Sequence, residues 1–186
     1  PPTNDEELAE LVGSFVDRYP LVQMEVIADN RHVDLVAEGI DVALRGGPIR
    51  DESLIGRRIM STDLVVMAAP SYLEANGVPA SPEELSRREC LRGYTKGERP
   101  EHWWPLRGGG QVQVSGRLVT NDMALRRQLA VSGRGLALLV RHYCGDELSS
   151  GRLVAVLEEQ VGSEAYLTAV YAEREHLDPK IRAFLD

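Results

Sequence analysis

The chain has 186 residues, enough for one large domain or two small lobes with real cores. Its apolar fraction of 43% and charged fraction of 27% match an ordinary soluble globular protein. Net charge is −8, and arginine pairs (Arg57-Arg58, Arg87-Arg88, Arg126-Arg127) lie scattered among acids, which reads as a solvated mixed surface rather than a nucleic-acid stripe.

Thr3 and Asn4 are cap residues, Glu6 completes a Thr-x-x-Glu box, and Leu8, Leu11, Val12, Phe15 and Val16 form one apolar helical stripe. Tyr19-Pro20 ends that helix, because the residue before proline is pushed out of the helical region. Val22, Met24 and Val26 alternate as a strand, and Asp29-Asn30 turn into the next element. Val33, Val36 and Ala37 then have helical spacing, with Asp34 and Glu38 on the wet side. Gly39 supplies the left-handed stop, and Ile40, Val42 and Leu44 alternate as a strand that ends at Gly46-Gly47. A helix turning through one glycine into a strand is half of a βαβ unit. The carboxyl end of such a strand is where open α/β sheets place ligands.

After a loop, residues 64–69 form an apolar run suited to a strand covered on both faces. A short helix from Ser71 closes at Gly77, and Ser81-Pro82-Glu83-Glu84 starts another. Residues 90–94 and 103–106 read as strands, the latter joined through Gly108-Gly109-Gly110 to residues 111–114 as a hairpin. Residues 118–120 are a further strand. Asn121 is a strong cap for a helix with Leu125 and Leu129 facing inward and Gly133 at its end. A buried strand (136–140), a helix (142–149, closed by Gly151), and strands at 153–157 and 165–171 follow. Asp178-Pro179 opens a last helix with Ile181, Phe184 and Leu185 inward. Alternating helices and strands make the class α/β.

Chemical motifs are sparse. There is no Gly-x-Ser-x-Gly elbow, no dinucleotide fingerprint and no Walker-type loop, so no catalytic residues are assigned. His32, His102, His142 and His176 lack ligand spacing, which leaves no metal site and no cofactor. Cys90 and Cys144 read as reduced, partly buried thiols of a cytoplasmic protein. Trp103-Trp104 reads as a hairpin anchor rather than a stacking platform. No apolar run approaches the ~20 residues that span a membrane. What remains is a binding domain. Helices opening at Thr3-Asn4 and Asn121-Asp122 present free backbone N–H groups that can meet a carboxylate, or the same residues are simply good caps.

An ordered set of fragments carries a family resemblance. Tyr19-Pro20 and Val33 to Gly47 (VDLVAEGIDVALRGG) are followed by Ala69-Pro70-Ser71-Tyr72-Leu73, Gly77-Val78-Pro79, Asn121-Asp122, Ser132-Gly133-Arg134-Gly135, Gly151-Arg152-Leu153-Val154 and Pro179 to Phe184. Together they resemble the effector-binding domain of LysR-type transcriptional regulators over nearly the whole chain. The resemblance implies a two-lobed, periplasmic-binding-protein-like (type 2) fold with two crossing strands between Rossmann-like lobes. Lobe I is expected at 1–62 plus 156–186 and lobe II at 63–155. The abrupt start at Pro1-Pro2 reads as an excised piece that lacks the winged helix-turn-helix and the first strand of lobe I.

The resemblance also implies a small effector in the cleft between the lobes, touched by Thr3, Asn30, Gly46, Thr62, Asn121 and Ser132. It implies a homodimer or homotetramer that meets DNA only through the absent domain. A solute-binding receptor of a transport system with the same fold is the alternative.

Overall fold

The longest strand, fifteen residues from Leu54 to Ala68, changes character along its length. Its first part carries Arg57 and Arg58 and is largely exposed, whereas Val65, Val66, Met67 and Ala68 are fully buried. The computed structural model describes residues 5–28, 34–46, 53–95, 99–172 and 178–186. Two compact units divide the chain: Pro1–Ser61 with Tyr166–Asp186, and Thr62–Ala165.

In chain order the elements are α1 (Asp5–Arg18), β1 (Ala43–Gly46), β2 (Leu54–Ala68), α2 (Pro70–Asn76), β3 (Cys90–Leu91), β4 (Tyr94–Thr95), β5 (Arg99–Pro100), β6 (Trp103–Pro105) and β7 (Gln111–Gln113). They continue with α3 (Met123–Val131), β8 (Leu136–Val140), α4 (Gly145–Ser149), β9 (Val154–Val156), β10 (Gly162–Ala172) and α5 (Pro179–Leu185). Tight 3-10 turns cover Pro82–Arg87 and His142–Cys144. The main sheet has the order β1-β10-β2-β8-β3, with β9 also paired to β2. The chain passes between the units within β2 and again within β10.

In the first unit β1 pairs antiparallel with β10, Ala43 opposite Val170 and Gly46 opposite Leu167. A small core of Ala169, Ile181 and Leu185, with Val42, Leu44 and Tyr171 against it, holds α5 to these strands. Phe15 of α1 meets the edge of Phe184 with ring centroids 5.1 Å apart. Asp178 caps α5 by accepting from the Lys180 N–H at 3.0 Å, and Lys180 Nζ pairs with Asp41 at 2.9 Å.

The second unit has the larger core. All five residues of β8 are buried, and alternate side chains feed different clusters. Leu136 and Leu138 join Val66, Tyr72, Leu85 and Trp104, whereas Ala137, Leu139 and Val140 join Val65, Met67, Tyr143 and Leu153. A strand covered on both faces is what its continuous apolar sequence requires. The tryptophan pair divides as a hairpin anchor should, with Trp104 opposite Val112 and fully buried and Trp103 half exposed.

Several expectations are corrected. Residues 22–28 form no strand among the described residues, and Val26 and Ile27 are exposed. The helical spacing around Val36 yields one turn, in which Asp34 Oδ1 accepts from the N–H groups of Val36 and Ala37. Asp34 thus competes with helix propagation by bonding its own backbone. Leu35, not Val36, is the buried member. Gly39 does take a positive φ of 66°, and its neighbour Ile40 donates to Leu35 O at 2.8 Å. The segment 54–63, expected as loop, is strand. Residues 118–120 make one isolated parallel bridge, Val119 with Arg92. The Thr3 and Asn4 cap, Val33 and the Asp29-Asn30 turn lie outside the described residues.

Candidate functional site

The second unit presents one sheet edge with the properties of an α/β ligand edge. β3 and β8 are parallel, with Leu91 opposite Ala137, and Arg92 bridges parallel to Val119. Their carboxyl ends therefore point the same way, with Arg92-Gly93 and Thr120-Asn121 side by side and Arg141-His142 farther along β8. Ligands in open α/β sheets bind at that end.

Thr62 stands on the same edge, where β2 runs antiparallel to β8 with Leu64 opposite Val140. Its Oγ1 accepts from the His142 N–H at 3.3 Å. Next to it the Arg141 N–H donates to Asp63 O at 2.8 Å, and Arg107 Nη1 pairs with Asp63 Oδ1 at 3.4 Å. Arg107 Nε also donates to Glu158 O at 2.7 Å, and Arg141 pairs with the Glu158 carboxylate. Two arginines thus tie the residues flanking the start of the second unit to the approach to β10.

Asn121 is not the helix cap. The Thr120 hydroxyl accepts from the Asp122 N–H at 3.0 Å, which turns the chain so that Asp122 Oδ1 accepts from the Leu125 N–H at 3.1 Å. Asp122 is therefore the cap of α3. The Asn121 side chain is exposed and makes no hydrogen bond among the described residues. Ser132 closes the other end of α3, where its N–H donates to Gln128 O at 2.9 Å. At 1.5 Å rise per residue, Ser132 lies ~16 Å along the helix from Asn121, at the opposite end of α3. Thr62 and Asn121 sit three strand spacings apart across the sheet, ~14 Å.

Gly46, in the first unit, ends β1 opposite Leu167 and is exposed. Thr3 and Asn30 lie outside the described residues. The structure thus brings Thr62 and Asn121 to one edge of the second unit and separates Ser132 from them.

The sequence reading missed a group on this edge. The pair Arg126-Arg127 was read as solvated surface, yet both side chains are half-buried. Arg127 is held by Tyr143, with its Cζ 4.4 Å from the ring centroid and Nη1 donating to Tyr143 O at 3.1 Å. It also faces Glu147, a buried carboxylate that Arg152 reaches at 3.4 Å. Arg126 lies on Gly93, where a Cβ would run into its Nη1 and approach its Cζ to 3.4 Å. Burial pulls the Arg126 guanidinium below its ordinary range, partly offset by the Glu101 carboxylate. Spacing gave one clue, since Arg126 is four residues after Asp122 and so one helical turn above the edge.

Among the described residues no group of histidine, cysteine and carboxylate side chains could hold a metal, and Cys90 and Cys144 are free and buried. No helix of the described residues is long and apolar enough to cross a membrane.

Comparison with known proteins follows this geometry. The family described as LysR substrate binding domain matches residues 2–186. The HTH-type transcriptional regulator CrgA of Neisseria meningitidis serogroup C (strain 8013) is 30% identical over 181 residues, which is 96% of this chain and 60% of that protein. The HTH-type transcriptional activator AaeR of Escherichia coli (strain K12) is 31% identical over 184 residues, covering 96% of this chain and 58% of its own length. The solved regulatory domain of CrgA from Neisseria meningitidis superposes with a TM-score of 0.81 at 30% identity, covering 96% of this chain and 88% of that one. The chain thus spans about 60% of the length of the curated relatives it matches. Both relatives are transcriptional regulators rather than enzymes, and the α/β, periplasmic-binding-protein-like type 2 class agrees with these neighbours.

Proposed function

The chain belongs to the LysR substrate-binding domain family, and from that premise we propose that it is the ligand-sensing regulatory domain of a LysR-type bacterial transcriptional regulator. A small, carboxylate-bearing effector binds in a cleft between the two lobes, residues 1–62 with 156–186 and residues 63–155. Its binding alters how a cytoplasmic homodimer or homotetramer grips DNA through a winged helix-turn-helix domain outside this chain. The effector can shift that equilibrium only by its differential affinity for the two arrangements.

The observation that carries this reading is the family match over residues 2–186. The ligand edge of the second unit supports it. Because Asp122 fills the cap, the Asn121 amide is left to a ligand, and Thr62 on the same edge offers a hydroxyl already oriented by the His142 N–H. Gly46, at the end of β1, lets a ligand approach backbone without a Cβ; Thr3 and Asn30 are the remaining contacts. Ser132, ~16 Å along α3 from Asn121, and Thr62, ~14 Å across the sheet from it, would meet other parts of the effector than Asn121 does.

The test is a thermal-shift screen of small carboxylic acids against the 186-residue chain. A true effector at 100 times its dissociation constant stabilises the fold by about 2.7 kcal/mol. In the full-length regulator the same compound is expected to change the affinity or the bending of operator DNA. A stabilising compound without any effect on DNA binding sinks the sensing role.

A further inference from the structure

A buried guanidinium without a partner is unusual. Arg keeps its charge at all ordinary pH, presents five donors in a planar fork, and is satisfied in folded proteins by carboxylates, carbonyls or aromatic faces. In this chain Arg92 donates to Glu101 O at 3.2 Å and meets His102 Nδ1 at 2.9 Å. Arg127 has Tyr143 and Glu147. Arg126 has neither hydrogen bond nor ion pair from its side chain among the described residues, and its Nε is buried.

Its surroundings among the described residues hold one acidic neighbour, Glu101, which acts on it electrostatically without a hydrogen bond. Glu101 stands beside its position over Gly93, and its Oε2 accepts from the Gly93 N–H at 3.2 Å and from Trp104 Nε1 at 3.1 Å. Asp122, one helical turn away, directs Oδ1 to the Leu125 N–H and forms no ion pair with Arg126 among the described residues. The absence of a side chain at Gly93 is what lets the guanidinium lie against the end of β3. That place is beside Asn121, because the Thr120 N–H donates to Arg92 O at 3.0 Å and Arg92 bridges Val119.

We propose that the guanidinium of Arg126, which makes no hydrogen bond or ion pair among the described residues and is seated on Gly93 beside the Asn121 amide, is the receptor for the carboxylate of the effector. The inference rests on the ligand-sensing reading above and deepens it. The anion is met by a fixed positive charge in a partly dehydrated place rather than by the start of α3, where Asp122 already supplies a negative group. A planar fork suits a planar carboxylate through two parallel hydrogen bonds. The desolvation that depresses the Arg126 guanidinium strengthens its attraction for an incoming anion.

The test uses the 186-residue chain with acetate and benzoate as probes, benzamide as the neutral counterpart of benzoate, and inorganic phosphate as a second anion. The Nε–H resonance of Arg126, assigned by its loss in Arg126→Lys, is followed by NMR. Benzoate or acetate should move it and benzamide should not. Affinity for the responding probe should fall about tenfold or more in Arg126→Gln, with partial retention in Arg126→Lys. Gly93→Ala, which displaces the guanidinium without removing it, should weaken binding in the same direction. The proposal is overturned if neither carboxylate moves the resonance at tens of millimolar, or if Arg126→Gln binds them as the wild type does. A response to phosphate alone also overturns it, since that anion lacks the planar fit. The two readings fail separately. Binding lost in Arg126→Gln but untouched in Asn121→Ala keeps the anion site and removes it from the effector edge. An effector found by thermal shift whose affinity depends on Asn121 and not on Arg126 keeps the sensing function and removes Arg126.

Discussion

At the scale of single residues, position in a turn outweighs residue type. Asn121 and Asp122 are both good caps, and the one that caps is decided by the Thr120 hydroxyl, which takes the Asp122 N–H. Asp122→Ala is therefore expected to cost about 1 kcal/mol of folding stability in urea titration, while Asn121→Ala costs close to nothing. Equal losses would return Asn121 to the cap. The two thiols give a second residue-scale expectation. Burial pushes Cys90 and Cys144 from an ordinary 9.0 up to about 12. Below pH 9 the folded and unfolded chains hold these protons alike. Between pH 9 and 12 only the unfolded chain releases them, so stability falls as pH rises, by up to about 1.4 kcal/mol per pH unit for each thiol. Urea midpoints across this range should show the loss, and Cys144→Ala should remove one thiol's share. An unchanged slope in that variant refutes the assignment.

At the scale of elements, sequence patterning was legible wherever one physical demand dominated. The continuous apolar run 136–140 could only be a strand covered on both faces, and the Asp178-Pro179 start fixed α5. Patterning misled where two demands competed. Asp34 bonded its own backbone and reduced a helix to one turn, and the charged half of β2 concealed a strand because its arginines stand on an exposed stretch. On α3 Leu129 packs against the core beside the buried Ala130, whereas Leu125 is 47% exposed. Of the candidate site, the edge bearing Asn121 and Thr62 was legible as strand ends, but Arg126 was not. Its burial arises from Gly93, a residue distant in sequence and near only in the fold. On α1, Leu11 is 42% and Val16 39% exposed. With Leu125 they leave apolar surface on two helices, and the chain is expected to sediment as a dimer at micromolar concentration. Leu11→Asp or Leu125→Asp should shift it toward monomer; a wild-type chain that is strictly monomeric there ends this expectation.

At the scale of the molecule, the two units differ in what stabilises them. Both large core clusters draw their buried members from the second unit, while the first has the small group around Ala169, Ile181 and Leu185. Apolar burial is the main favourable term in folding, so the first unit should open at lower denaturant. Hydrogen exchange followed by mass spectrometry in rising urea should show β1 and α5 losing protection before β8 and β3. Simultaneous loss in all four would show one cooperative unit.

The same division has a consequence for how the protein is made. The first unit is discontinuous, with Thr62–Ala165 lying between its two pieces. A ribosome therefore delivers the complete second unit before the closing segment exists. β1 waits for a partner more than a hundred residues downstream, since Ala43 pairs with Val170. Loops of that length slow folding more than they weaken the folded state. During translation the apolar face of α1, including Phe15, stays uncovered until Phe184 has emerged, which makes the helix the natural client of a chaperone.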